Sequence, residues 1–124
     1  MNHRRTLLTE LGVFETFCPS LPAAHQNTPY VLLANIAPSL QFHVLNQMHR
    51  PKFVIADTMY LWSEIANERL QEVLPQLDLF VLNEGEAREL AGTSNLVQAG
   101  RQLLAKGPRH VAIKLGEFGA MLVS

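Results

Sequence analysis

The chain has 124 residues, 48% of them hydrophobic, and ten Lys and Arg against eleven Asp and Glu for a formal charge of −1. That is material for one domain with a buried core, and it excludes a disordered tail. The near-neutral balance argues against a dedicated nucleic-acid surface or a polybasic membrane patch, and no apolar run approaches the roughly 20 residues of a membrane helix.

Met1 to Arg5 is basic, but Glu10 and Glu15 follow too soon for a signal peptide, so a soluble cytoplasmic protein is expected. Leu7, Leu8, Leu11 and Phe14 have helical spacing, whereas Val13, Thr16 and Phe17 suit a strand. Cys18-Pro19-Ser20-Leu21-Pro22 must be irregular, because its two prolines remove donors and fix the backbone. Tyr30 to Ala34 is then a continuous apolar run of strand length. Pro38 to Met48 opens with proline, which suits a first helical turn, and spaces Leu40, Val44, Leu45 and Met48 on one stripe. Phe53 to Ala56 is a second strand. Leu61 to Leu74 is a helix with Leu61, Trp62, Ile65, Ala66, Leu70 and Val73 inward and Glu64, Glu68 and Glu72 on a solvated face.

Leu79 to Leu82 is the third strand, and Asn83 opens a helix after it. Ser94 to Lys106 is a further helix, which Ser94 can cap and Gly107-Pro108 stops. Val111 to Ile113 is the fourth strand, and Gly119 to Val123 can pair with it through the Leu115 to Phe118 turn. Apolar runs without polar alternation suit strands covered on both faces, and their alternation with helices predicts a mostly parallel α/β sheet.

Ligands of open parallel sheets bind at the carboxyl ends of the strands, so Asn35, Asp57, Asn83 to Glu86 and Lys114 to Gly116 are the candidates. Asn83-Glu84-Gly85-Glu86 has the spacing of a capping box, in which Glu86 reaches back to the cap amide. The same helix start favours anions, and its acid can order hydrated Mg²⁺ around phosphate. Lys114-Leu115-Gly116 is a Gly-containing turn whose lysine suits phosphate as a point charge. Asp57 can cap the next loop or act as acid, base or phosphoacceptor. His3, His25, His43, His49 and His110 share no metal-ligand spacing, and Cys18, the only cysteine, has no evident activating base.

Asp57-Thr58-Met59 with Trp62, then Asp78 to Ala87, Ala91-Gly92, and Val111 to Ala120 together resemble the middle of a ribokinase-like (PfkB) carbohydrate kinase, over about residues 30 to 124. The resemblance implies a three-layer α/β sandwich, here partial, with residues 29–124 as core and residues 1–28 as an irregular, lid-proximal segment. It implies ATP and Mg²⁺ as cofactors and a small sugar or nucleoside hydroxyl as phosphate acceptor. Asn83 and Glu86 would serve the metal, and Lys114 and Gly116 the nucleotide.

Asp57 matches the aspartate of the family pattern Asp-x-Asn-x-Arg, in which Met59 and Leu61 here replace Asn and Arg. Family members are about twice as long, and their Gly-Ala-Gly-Asp motif, which carries the catalytic base and anion hole, does not occur here. No catalytic residue is therefore assigned, and the chain alone is expected to be inactive. The other reading is a non-catalytic nucleotide-binding or interaction module on the same scaffold. A receiver-type phosphoacceptor at Asp57 is a third, but no acidic pair stands near the first strand to hold its metal.

Overall fold

The structure, a computed structural model, describes residues 17–57 and 67–124. One five-stranded sheet runs through it: β1 (Tyr30–Leu33), β2 (Phe53–Asp57), β3 (Leu79–Asn83), β4 (His110–Lys114) and β5 (Ala120–Val123). The first four strands are parallel and stand in chain order, and β5 returns antiparallel along β4. The described helices are α1 (Pro38–Gln47), α2 (Asn67–Val73), α3 (Glu84–Ala91) and α4 (Leu96–Leu104). The mostly parallel α/β architecture expected from the apolar runs is present. Trp62, Ile65 and the rest of the first half of the expected 61–74 helix lie outside the described residues, as do Thr58 and Met59.

Strand order decides which side of the sheet is covered. Crossovers that all step in the same direction and share one hand lay their helices on one face. Burial follows that rule, because alternate strand positions enter the core: Leu33, Val54, Ala56, Phe80, Leu82, Val111 and Ile113. Helical residues Leu45, Leu70, Val73, Ala87, Ala99 and Leu103 close over them. Each fully buried Leu, Val or Phe contributes about 1.5–3 kcal/mol by leaving water, so this face carries the stability.

The intervening positions point the other way and stay open. Tyr30 and Leu32 on β1 are each 69% exposed and Leu122 on β5 is 66% exposed, while Phe53, Ile55, Leu79 and Val81 between them are half-buried. The unbroken apolar runs therefore do not mean two covered faces among the described residues; two of the three layers of the expected sandwich are described.

Two local devices set the strand ends. At the entry to β3, Asp78 Oδ2 accepts the Val54 N–H at 2.8 Å and the Asp78 N–H donates to the Val54 carbonyl at 2.9 Å. These bonds lock β2 and β3 in parallel register from their first residues. Beyond α4, Gly107 has φ +131° and crosses the short turn Leu74–Gln76, where a Cβ would stand 2.5 Å from the Pro75 Cα. The α4 cap differs from expectation by one residue: Asn95 Oδ1, not Ser94, accepts the Gln98 N–H at 3.1 Å. The cap is the residue immediately before the first helical one, and its side chain accepts from an amide two or three residues on; for a helix beginning at Leu96 that residue is Asn95. Gly107→Ala combines a left-handed backbone with a backbone clash, so urea unfolding should show a loss of about 1–3 kcal/mol.

Candidate functional site

The carboxyl ends of β2, β3 and β4 form one rim. On β3 and β4, Asn83 pairs in register with Lys114, so the two residues stand on adjacent strands at the same height. Register also puts Asp57, Val81, Ala112 and Leu122 in one row across the open face, two residues before the Asn83, Lys114 and Ala120 row.

Asn83 ends β3 and begins α3 in the same residue. Its Oδ1 accepts the Glu86 N–H at 2.8 Å, and Glu86 Oε2 accepts the Asn83 N–H at 2.9 Å. The capping box expected from the Asn-x-x-Glu spacing is thus closed in both directions. Glu86 is only 2% exposed, whereas the Asn83 side chain faces solvent. Glu84, on the outer side of the first turn, is tied to Arg88 at 3.3 Å. Gly92 closes α3 in the left-handed conformation, φ +68°.

On the neighbouring strand, Lys114 leads into the turn Gly116–Phe118. The Leu115 N–H donates to the Gly119 carbonyl at 2.7 Å and the Phe118 N–H to the Leu115 carbonyl at 3.2 Å. Gly116 has φ +62°, and nothing lies within 4 Å of the place a Cβ would take, so its backbone is open to approach from outside. The expected hairpin between β4 and β5 is formed.

Asp57 is the third member of the rim. Lys114 Nζ reaches across β3 to donate to Asp57 Oδ2 at 3.1 Å and lies 3.4 Å from Oδ1. Sequence spacing cannot show this pair, since 57 positions separate the two residues and only sheet order brings them together. Gln41, a polar residue the apolar-stripe reading of α1 passed over, supports the same corner. It is 1% exposed, and its Nε2 donates to the Ala34 carbonyl at 3.1 Å and the Asp57 carbonyl at 3.2 Å, tying the ends of β1 and β2. Beside it, Leu32, Ala34, Asn35, Ile36 and Leu40 line a mostly apolar hollow of about 370 Å³. Asn35 therefore stands in this hollow at the end of β1.

Among the described residues no three of His, Cys, Asp and Glu gather into a group that holds a metal by itself, and no helix is long and apolar enough to cross a membrane. Cys18, read above as lacking an activating base, has His43 Nε2 3.5 Å from its sulfur. The same nitrogen lies 2.8 Å from the Pro19 carbonyl. A carbonyl only accepts, so this nitrogen carries the hydrogen and has no lone pair for the thiol.

With this geometry in place, the sequence model of pfkB family carbohydrate kinases matches residues 20–124, and the chain belongs to that family. No curated protein matches significantly. Among solved structures, a pyrophosphate-dependent kinase in the ribokinase family, complexed with a pyrophosphate analog and myo-inositol, is 21% identical with a TM-score of 0.57, over 78% of this chain and 39% of that one. The phosphomethylpyrimidine kinase of Clostridium difficile 630 is 19% identical with a TM-score of 0.60, over 77% and 52%. The pyridoxal kinase of Staphylococcus aureus in complex with AMP-PCP is 20% identical with a TM-score of 0.56, over 73% and 42%. These likenesses establish the ribokinase-like fold. The chain spans about two fifths to one half of the length of these structures.

If the Asn83 side chain holds the start of α3, Asn83→Ala should cost about 0.5–2 kcal/mol in urea unfolding, and Asn83→Ser should restore most of it.

Proposed function

We propose that this chain is the phosphate-facing central part of a PfkB-type kinase domain. The whole domain would transfer the γ-phosphoryl group of ATP to a hydroxyl of a small sugar or nucleoside. The observation that carries the reading is the register of Asn83 with Lys114, which brings the helix start and the glycine turn onto one rim of the sheet.

Phosphoryl transfer asks little covalent chemistry of a protein and depends on positioning and charge stabilisation. Lys114 would offer a point charge to the phosphates, and Gly116 an unobstructed backbone beside them. The amino end of α3 favours anions at the same place. The donor set suits Mg²⁺ held through its water: Asn83 Oδ1 and Glu86 Oε2 are both engaged in the cap, so a hydrated cation would be met from outside it. When bound, that ion neutralises charge on the phosphates. Two of the neighbouring enzymes support the phosphate-binding role by the ligands they hold: a pyrophosphate analog in the ribokinase-family kinase and AMP-PCP, an ATP analogue, in the pyridoxal kinase.

No Gly-Ala-Gly-Asp occurs in the sequence, so neither its catalytic base nor its anion hole is supplied here. Removing such elements ordinarily takes away most of the rate enhancement. The chain alone should therefore bind Mg·ATP without phosphorylating a panel of sugars and nucleosides, and measurable turnover would overturn that part of the reading.

Glu86→Gln separates the phosphate role from a purely structural one, because glutamine also closes a capping box but carries no charge. Calorimetric titration with ATP should show several-fold weaker binding in Mg²⁺ and little change in EDTA, with urea stability kept within about 0.5 kcal/mol. Equal Mg²⁺-dependent affinity in the two proteins would leave Glu86 as a cap alone and favour the non-catalytic module.

A further inference from the structure

We propose that Asp57 is the resting counter-ion of Lys114 and that an incoming polyphosphate takes the ammonium from it. The inference rests on the reading of Lys114 as a phosphate partner, and it assigns Asp57 as a positioning residue that acts through that lysine.

The strand ends and turns from Asp57, Asn83 to Glu86 and Lys114 to Gly119 carry Asp57, Glu84, Glu86 and Glu117 against Lys114. Among these described residues Lys114 is the cation, and Arg88 of α3 beside them is already tied to Glu84. Glu84 is held by Arg88 and Glu86 is buried in its cap. Asp57 is the carboxylate that faces Lys114, and it engages the ammonium through both oxygens, at 3.1 and 3.4 Å.

Geometry says which partner moves. The carbonyl of Asp57 is bonded by the buried Gln41 amide and its strand is paired on both sides, so the backbone that carries this short side chain is fixed at the end of β2. Lysine carries its charge on a flexible stem with rotatable donors, and it can swing from the row above Val81 toward the glycine turn. The side chains of Lys114 and Asp57 are 49% and 36% exposed, so an anion can reach the pair. Exposed pairs of this kind are weak, and a phosphate chain with several charges can displace one carboxylate. Asp57 then acts as a threshold: it keeps Lys114 neutralised until a ligand of higher charge arrives.

The test uses the 124-residue chain and sodium tripolyphosphate, titrated calorimetrically at low salt into wild type, Asp57→Asn, Lys114→Gln and the double variant. Asp57→Ser serves beside Asp57→Asn in case the amide disturbs the fold. Removing the competing carboxylate should tighten binding about two- to fivefold. The gain should fade at about 0.5 M NaCl, where charges in water are screened, and vanish in the Lys114→Gln background.

If Lys114→Gln weakens binding while both Asp57 variants leave it unchanged or weaken it, the exchange is overturned and the phosphate role of Lys114 stands. An equal gain with and without Lys114 reduces Asp57 to simple repulsion and also overturns it. If Lys114→Gln binds like wild type, or wild type shows no saturable binding, the phosphate role falls together with the exchange.

Discussion

The parallel pairing of β3 with β4, Leu79 against His110 through Asn83 against Lys114, fixes the height at which both strands end, and the rim depends on that height. Strand period is two, so a slip by one residue would turn Lys114 into the core and leave Asn83 opposite a residue of the buried face. Phe80 against Val111 and Leu82 against Ile113 prevent the slip, because all four side chains are fully buried in the same face. Core packing on one side of the sheet thus sets where the polar residues stand on the other.

Under the proposed function, Asn83 and Glu86 would serve structure and chemistry together. The closed cap satisfies amides that the start of α3 would otherwise leave without partners, and it holds a carboxylate at the amino end of a helix with almost no exposure. A carboxylate fixed this way reorganises little when charge arrives outside it, as the proposed positioning of phosphate would require. The cap and the proposed phosphate role would use the same two side chains in the same place.

The two faces of the sheet differ in how their apolar residues are covered among the described residues. One face is filled by Val54, Ala56, Phe80, Leu82, Val111 and Ile113, while the other presents Tyr30, Leu32 and Leu122 to solvent. Strand order accounts for the difference, because four parallel strands in succession send their crossovers to one side. An apolar second face of this kind is ordinary within a sandwich layered on both sides, and the chain spans only part of the length of its structural neighbours.

Much of this was legible in the amino-acid sequence. The four parallel strands, the hairpin strand, the proline start of α1 and the Asn-x-x-Glu cap are local matters, decided by apolar runs, backbone restrictions and bonds three residues apart. The Asn-x-x-Glu and Lys-x-Gly elements also carried the family resemblance. What the sequence could not show was which face of each run would be covered, because β2 and β3 read as continuous apolar segments on either side.

Nor could it show that Lys114 bonds Asp57 across an intervening strand, or that the buried amide of Gln41 ties the ends of β1 and β2. Helix stripes and strand runs report neighbours three, four or two residues away. Contacts between distant residues exist only once the strands have taken their order, and the tertiary structure alone decides that order.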